Sequence, residues 1–119
     1  MKNRIGGTLA VVIDGELYEH EGAFTYNTGR AKREALMNSQ RPVGFKEMAQ
    51  VPFFEGNVYV TSDLNLDALL NANGVTATLS LANGKTLVYR DAWFAGDGTG
   101  DTENGTLAVR FEAKSCDPT

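Results

Sequence analysis

Polar and apolar residues alternate along most of the chain with a period of two, the spacing of strands that bury one face and wet the other. Leu9, Val11 and Ile13 share one side of the first run, with Thr8 and Ala10 opposite. Asp14-Gly15 follows, a pair that tolerates positive φ at both turn positions, so the run from Leu17 onward reads as a return strand. Phe24 and Tyr26 alternate with Thr25, and Val58 and Val60 with Asn57 and Thr61. The second half is more regular. Val75, Ala77, Leu79 and Leu81 alternate with Thr76, Thr78, Ser80 and Ala82, and Asn83-Gly84 then signals a hairpin. Leu87, Tyr89 and Trp93 lie on the return strand, which runs to about Phe94. Leu107, Val109, Phe111 and Ala113 alternate with Arg110, Glu112 and Lys114 in the last strand.

One segment departs from this period. Within Ser62–Asn71, Leu66, Leu69 and Leu70 stand at i, i+3 and i+4, which predicts a short helix held by leucine burial against the sheet. Ser62 or Asp63 is expected to cap its free amides, and Gly74 to end it. The predicted fold is mainly β: an antiparallel β-sandwich or barrel with one short flanking α-helix and a long extended loop. Residues 1–119 read as a single domain, with residues 115–119 a flexible C-terminal tail.

Two stretches read as loops. Residues 28–50 form the long one, beyond the roughly 12–15 residues usual in compact domains. Gly96–Gly105 is the other, polar, flexible and acidic. The net charge is −4, which disfavours a dedicated nucleic-acid binder, since such proteins are usually basic. The charge is unevenly spread. From Arg30 to Lys46 the chain carries Arg30, Lys32, Arg33, Arg41 and Lys46 against Glu34 alone, a sum of 5 − 1 = +4, and the rest carries 6 − 14 = −8. A cationic segment on an anionic body allows copies to attract one another head to tail. The same segment holds Leu36, Met37, Val43, Phe45 and Met48. A merely solvated loop has little reason to carry five large apolar side chains, so they are expected to bury against a surface such as a partner's.

Chemistry-bearing residues are sparse. One cysteine, Cys116, permits no internal disulfide, and with the one histidine, His20, it falls short of a zinc ligand set. No acid, base and nucleophile stand at sensible spacing, and an enzyme is not expected. Asp97, Asp101 and Glu103 could offer oxygens to calcium, but their spacing does not match the twelve-residue calcium loop. No cofactor or metal site is expected. The opening Met1–Ile5 lacks the long apolar stretch of a secretory signal, and no run approaches the roughly 20 residues that cross a bilayer.

At this point the chain resembles a known family. Phe24-Thr-Tyr26 is followed by Lys32-Arg33-Glu34, then by Arg41-x-x-Gly44-Phe45-Lys46-Glu47, a short helix near Leu64–Leu70, and Leu81-Ala82-Asn83-Gly84-Lys85-Thr86. This order is similar to the small tail tube proteins of Mu-like contractile-tailed bacteriophages and prophages, from about Gly7 to Phe111. The Gly-Phe-Lys-Glu stretch, where that family tends to have Gly-Tyr-Lys-Glu, and the Leu-Ala-Asn-Gly-Lys hairpin carry most of the weight. The resemblance implies a structural subunit that stacks as hexameric rings into the DNA conduit inside a contractile sheath. Its implied partners are itself, then sheath, baseplate and tail-terminator proteins, with DNA only transiently in the lumen and no membrane. Its place would be the virion tail, assembled in the host cytoplasm. Combined with the residue reading, it places Arg30, Lys32, Arg33, Leu36, Met37, Arg41, Val43, Phe45, Lys46 and Glu47 at subunit contacts. Thr76, Thr78 and Ser80 would face a wet lumen, and Asp97, Asp101 and Glu103 the lumen or a rim. The competing expectation is a small monomeric β-barrel that binds a ligand or peptide in a preformed apolar pocket.

Overall fold

The computed structural model describes residues 6–118. The reading of Met1–Ile5, and Thr119 of the expected tail, lie outside the described residues. The strands are β1 (Thr8–Ile13), β2 (Glu16–Tyr18), β3 (Thr25–Asn27), β4 (Lys32–Met37), β5 (Pro42–Met48), β6 (Phe53–Tyr59), β7 (Asn73–Leu81), β8 (Thr86–Phe94), β9 (Gly100–Asp101) and β10 (Thr106–Pro118), with helix α1 (Leu66–Leu70) between β6 and β7. Eight strands make one antiparallel sheet in the order β2-β1-β7-β8-β10-β6-β3, with β9 beside β10, while β4 and β5 pair only with each other. The two ends of the large sheet meet through irregular chain. Tyr59 N–H donates to the Glu19 carbonyl at 2.7 Å, Glu21 N–H to Asn57 at 3.0 Å, and Thr8 N–H to Gly22 at 2.9 Å. The sheet therefore wraps, sandwich-like, around a single core, as the alternation of the sequence predicts.

Phe54, Phe111, Tyr89, Val11, Leu79, Val58 and Leu69 are the largest fully buried side chains. The Phe54 and Phe111 rings stack at 5.5 Å, and Tyr89 leans on Phe54 at 5.1 Å. Each such side chain contributes about 1.5–3 kcal/mol of transfer free energy. Asp14 (φ 53) and Gly15 (φ 82) both take the left-handed conformation, which fits the tight turn between β1 and β2.

The departures from strict alternation are β-bulges. The β1–β7 register shifts between Thr8 and Ala10, so Leu9 leaves the buried face of Val11 and Ile13. In β8 the phase slips at Asp91 (φ 56): Leu87, Tyr89 and then Ala92 face the core, and Trp93 does not. The helix is shorter than its spacing suggested. Its cap is Asn65, whose Oδ1 accepts from Ala68 N–H at 3.1 Å, while Asp63 binds the Thr61 hydroxyl at 2.6 Å. Asn71, not Gly74, ends it, and Gly74 (φ 68) sits where the β7–β8 register shifts. The segment expected to be a tail continues β10 as far as Pro118, with Ser115, Cys116, Asp117 and Pro118 opposite Arg90, Tyr89, Val88 and Leu87.

The register gives the molecule two unlike ends. At one lie Asn27, Phe53, the Leu81–Lys85 turn and Pro118, and there the chain leaves the sheet to form β4 and β5. At the other lie the Asp14-Gly15 turn, residues 60–72 with α1, and residues 95–105. They are called here the hairpin end and the loop end.

Candidate assembly interface

The stretch read as a long loop is a two-stranded hairpin. Lys32 pairs with Met48, Arg33 with Glu47, Glu34 with Lys46, Ala35 with Phe45 and Leu36 with Gly44, before a register shift brings Met37 opposite Pro42. The Asn38 side chain closes the turn by accepting from Gln40 and Arg41 N–H, each at 2.8 Å. Every residue of both strands is exposed. The hairpin projects from the body: the chain measures 60 × 34 × 27 Å and its radius of gyration is 17.0 Å, against about 13–14 Å for a compact chain of this length.

Its stem is held firmly. Tyr89 directs its hydroxyl at the carbonyls of Asn27 (3.1 Å) and Phe53 (2.9 Å), the residues flanking the point of departure. Burial, with the Cys116 thiol close by, pushes the Tyr89 phenol well above its ordinary value, so it stays a donor. Gln50 Nε2 donates to the Arg30 carbonyl at 3.0 Å. Gly29 (φ 81) lies against Pro52, where an added Cβ would clash with the proline Cγ and Cδ.

Beyond the stem little holds the hairpin. Phe45 is 54% exposed and Met37 63%, and Leu36, Val43, Met48 and Val51 are also open. An isolated two-stranded hairpin is marginal in water, so these side chains are an unspent source of burial energy. The charges are partly consumed within the arm. Arg33 pairs with Glu47 at 3.4 Å and packs over the Phe45 ring, and Lys46 reaches Glu34 at 3.7 Å. Such exposed pairs are worth about 0.2–1 kcal/mol each. Among the described residues no ion pair engages Arg30, Lys32 or Arg41.

The loop end is the electrical opposite. Its turns and loops (14–19, 60–72 and 95–105) carry Asp14, Glu16, Glu19, Asp63, Asp67, Asp97, Asp101 and Glu103 and no lysine or arginine. None of these carboxylates enters an ion pair among the described residues. Asp97 accepts from the Thr99 hydroxyl, and Asp101 caps the Glu103 and Asn104 amides, so both act within their own loop. Glu16, Glu19 and Asp63 line a cleft of about 470 Å³ with Leu17, Tyr18, Tyr59 and Leu64.

Thr76, Thr78 and Ser80 lie on the outer face of β7. Thr78 stands between Val12 and Val88, and Ser80 between Ala10 and Thr86, all uncharged, while Arg90 of β8 lies further along the same face, paired with Asp117. The sheet interior is filled by Tyr89, Phe54 and Phe111 rather than hollowed into a pocket.

This fold has counterparts among known proteins. The phage tail tube protein model matches residues 2–118. The chain belongs to the phage tail tube protein family. Three solved structures share the fold of this family member. One is the sheath/tube terminator of the extracellular contractile injection system PVC in its extended state, with TM-score 0.64, 11% identity, and 92% of this chain and 91% of that one covered. Another is Hcp1 from Flavobacterium johnsoniae, with TM-score 0.61, 16% identity and 94% of each chain covered. The third is the tube-terminating cap of the anti-feeding prophage, with TM-score 0.62, 10% identity, and 92% of this chain and 86% of that one covered. No curated protein matches.

The residues of the basic segment expected at subunit contacts thus lie together on one arm, or in its stem in the case of Arg30. Those expected at lumen or rim fall into two groups, the hydroxyl-bearing β7 face and the acidic loop end. The sequence reading missed the strand character of residues 32–48, the Tyr89 clamp, and the gathering of acids from three separate loops at one end. Only the Asn38 turn and the mutually opposed charges of Arg33-Glu34 and Lys46-Glu47 signalled the hairpin beforehand.

Proposed function

We propose that this protein is the structural subunit of a bacteriophage tail tube, polymerising as stacked hexameric rings into the DNA conduit inside a contractile sheath, and that it catalyses no reaction. The single observation that carries this reading is the β4–β5 arm, which exposes six large apolar side chains, counting Val51 of its stem. An arm that buries nothing on its own body gains its stability from a neighbour. The family match supports the tube, and the likeness to a tube terminator and a tube cap supports the stacked geometry. Open-ended stacking requires a heterologous contact, one surface of a copy meeting a different surface of the next. Opposite charge at the two ends of the strands suits such a contact.

Thr76, Thr78 and Ser80 line the lumen, where hydroxyls without cations of their own leave phosphates free to slide and Arg90 is already paired with Asp117. Sheath, baseplate and tail-terminator proteins are the outer and end partners, and the assembled protein resides in the virion tail after assembly in the host cytoplasm. Negative-stain electron microscopy of the purified chain at rising concentration tests the reading. Rings or tubes are expected, with a matching shift to earlier elution in size exclusion. A monomer at every concentration would overturn it and return the binding-module alternative.

A further inference from the structure

Resting on the tube reading, we infer where the arm lands: the cleft at the loop end of one copy, lined by Glu16, Glu19 and Asp63, receives the β4–β5 hairpin of the next copy. Three observations converge. The strand register sets the two surfaces at opposite ends of the sheet, as a repeating head-to-tail contact requires. Their charges are complementary, and among the described residues neither Lys32 and Arg41 on the arm nor Glu16, Glu19 and Asp63 at the cleft enter an ion pair. Both surfaces also expose apolar groups. The arm presents Met37, Val43 and Phe45, and the loop end presents Leu17, Tyr59, Val60 and Leu66; among the described residues only Leu9 and Tyr26 of the exposed large apolar side chains lie away from these two regions. Apolar centres ringed by opposite charges are the make-up of a protein interface rather than of a solvated surface.

One wall of the cleft is β2, and Tyr59, Thr61, Asp63 and Leu64 line the other. Tyr18 lies at its floor, its phenol raised by burial and by Glu16 and Asp14. Asp63 is already ionised more readily than usual, because the Thr61 hydroxyl donates to it. The cleft therefore stays anionic at neutral pH and draws Arg41, at the tip of the arm, ahead of the apolar contacts. The resulting filament is polar, with free arms at one end and open clefts at the other.

The test is a charge-reversal set, each chain first checked for a native circular dichroism spectrum and melting curve. Glu16→Lys with Glu19→Lys alters the cleft only, and Lys32→Glu with Arg41→Glu alters the arm only. All four positions are exposed, and none bears on the core. Wild-type chains polymerise, and each one-ended variant raises the concentration at which polymer appears by about tenfold or more, read by sedimentation. A chain carrying both reversals regains polymer, because its ends again complement each other. Leu17→Ala, which alters no charge, raises the threshold by a smaller factor. If a one-ended variant polymerises like wild type, or the doubly reversed chain fails to recover, the landing site is wrong although the tube stands. If wild type itself never polymerises, the tube reading falls first and takes this inference with it.

Discussion

The β8–β10 pair and the β4–β5 pair are both antiparallel ladders, built from the same backbone geometry, yet their side chains do opposite things. In β8 and β10 the alternation of Leu87, Tyr89, Leu107, Val109 and Phe111 puts one face wholly into the core. In β4 and β5 apolar and charged residues share both faces, and no residue is buried. Hydrogen bonds alone do not distinguish them, since exchange with water makes each worth only about 0.5–1.5 kcal/mol net. Burial does. One pair is a finished part of a single molecule, and the other is half of a contact whose remainder lies on another copy.

Aromatic truncation separates the two regions most sharply. Phe54→Ala or Phe111→Ala removes a ring from the stacked core and is expected to cost about 3–5 kcal/mol in urea unfolding. Phe45→Ala, the same chemical change on the arm, should leave monomer stability within about 0.5 kcal/mol yet abolish polymer in sedimentation. If Phe45→Ala destabilises the monomer as much as Phe54→Ala, the contrast between the regions fails.

Tyr89 joins the two regions, and its loss should have an intermediate effect. Tyr89→Phe leaves the Asn27 and Phe53 carbonyls without their donor, a cost of about 1–3 kcal/mol. Slower assembly should accompany it, because the arm loses its fixed angle; light-scattering time courses measure this. Reversing Arg33 and Lys46 together to Glu is milder for the monomer. It sets like charges opposite Glu47 and Glu34 across two rungs, costing about 1 kcal/mol or less each, and leaves a folded chain that cannot stack. Normal polymerisation of that variant would exclude charge-guided docking.

The smallest effect is that of alkaline pH on the hairpin end. Burial raises the Cys116 thiol above its ordinary 9.0. The folded chain then keeps a proton that the unfolded chain releases, so the thiol's contribution is intact below pH 9.0 and is lost as pH rises toward the folded value. The urea midpoint should fall as pH climbs through that range, and by less in Cys116→Ala.

How much of this was legible in the sequence follows the same division. Strands that bury one face declare themselves by period two, which is why β7, β8 and β10 stand where the alternation puts them, and why the β-sandwich class was readable. Bulges are written in backbone register, not in hydropathy, so Leu9 was assigned to a face it does not occupy, and the slip at Asp91 left no trace in the sequence. The arm was legible as chemistry (its charges and apolar residues) but not as strands, because a ladder with both faces exposed leaves no periodic trace. The acidic end was legible only in its Gly96–Gly105 loop: Asp14, Asp63 and Asp97 are distant in sequence and come to one end only through topology.

Hydrogen exchange of the β4–β5 amides, compared between dilute chain and concentrated polymer, tests the central claim most directly. The account predicts that Lys32–Met48 exchange quickly when dilute and become protected on polymerisation, while β8 and β10 are protected in both. Equal protection of the arm in both states, or no protection in either, would contradict it.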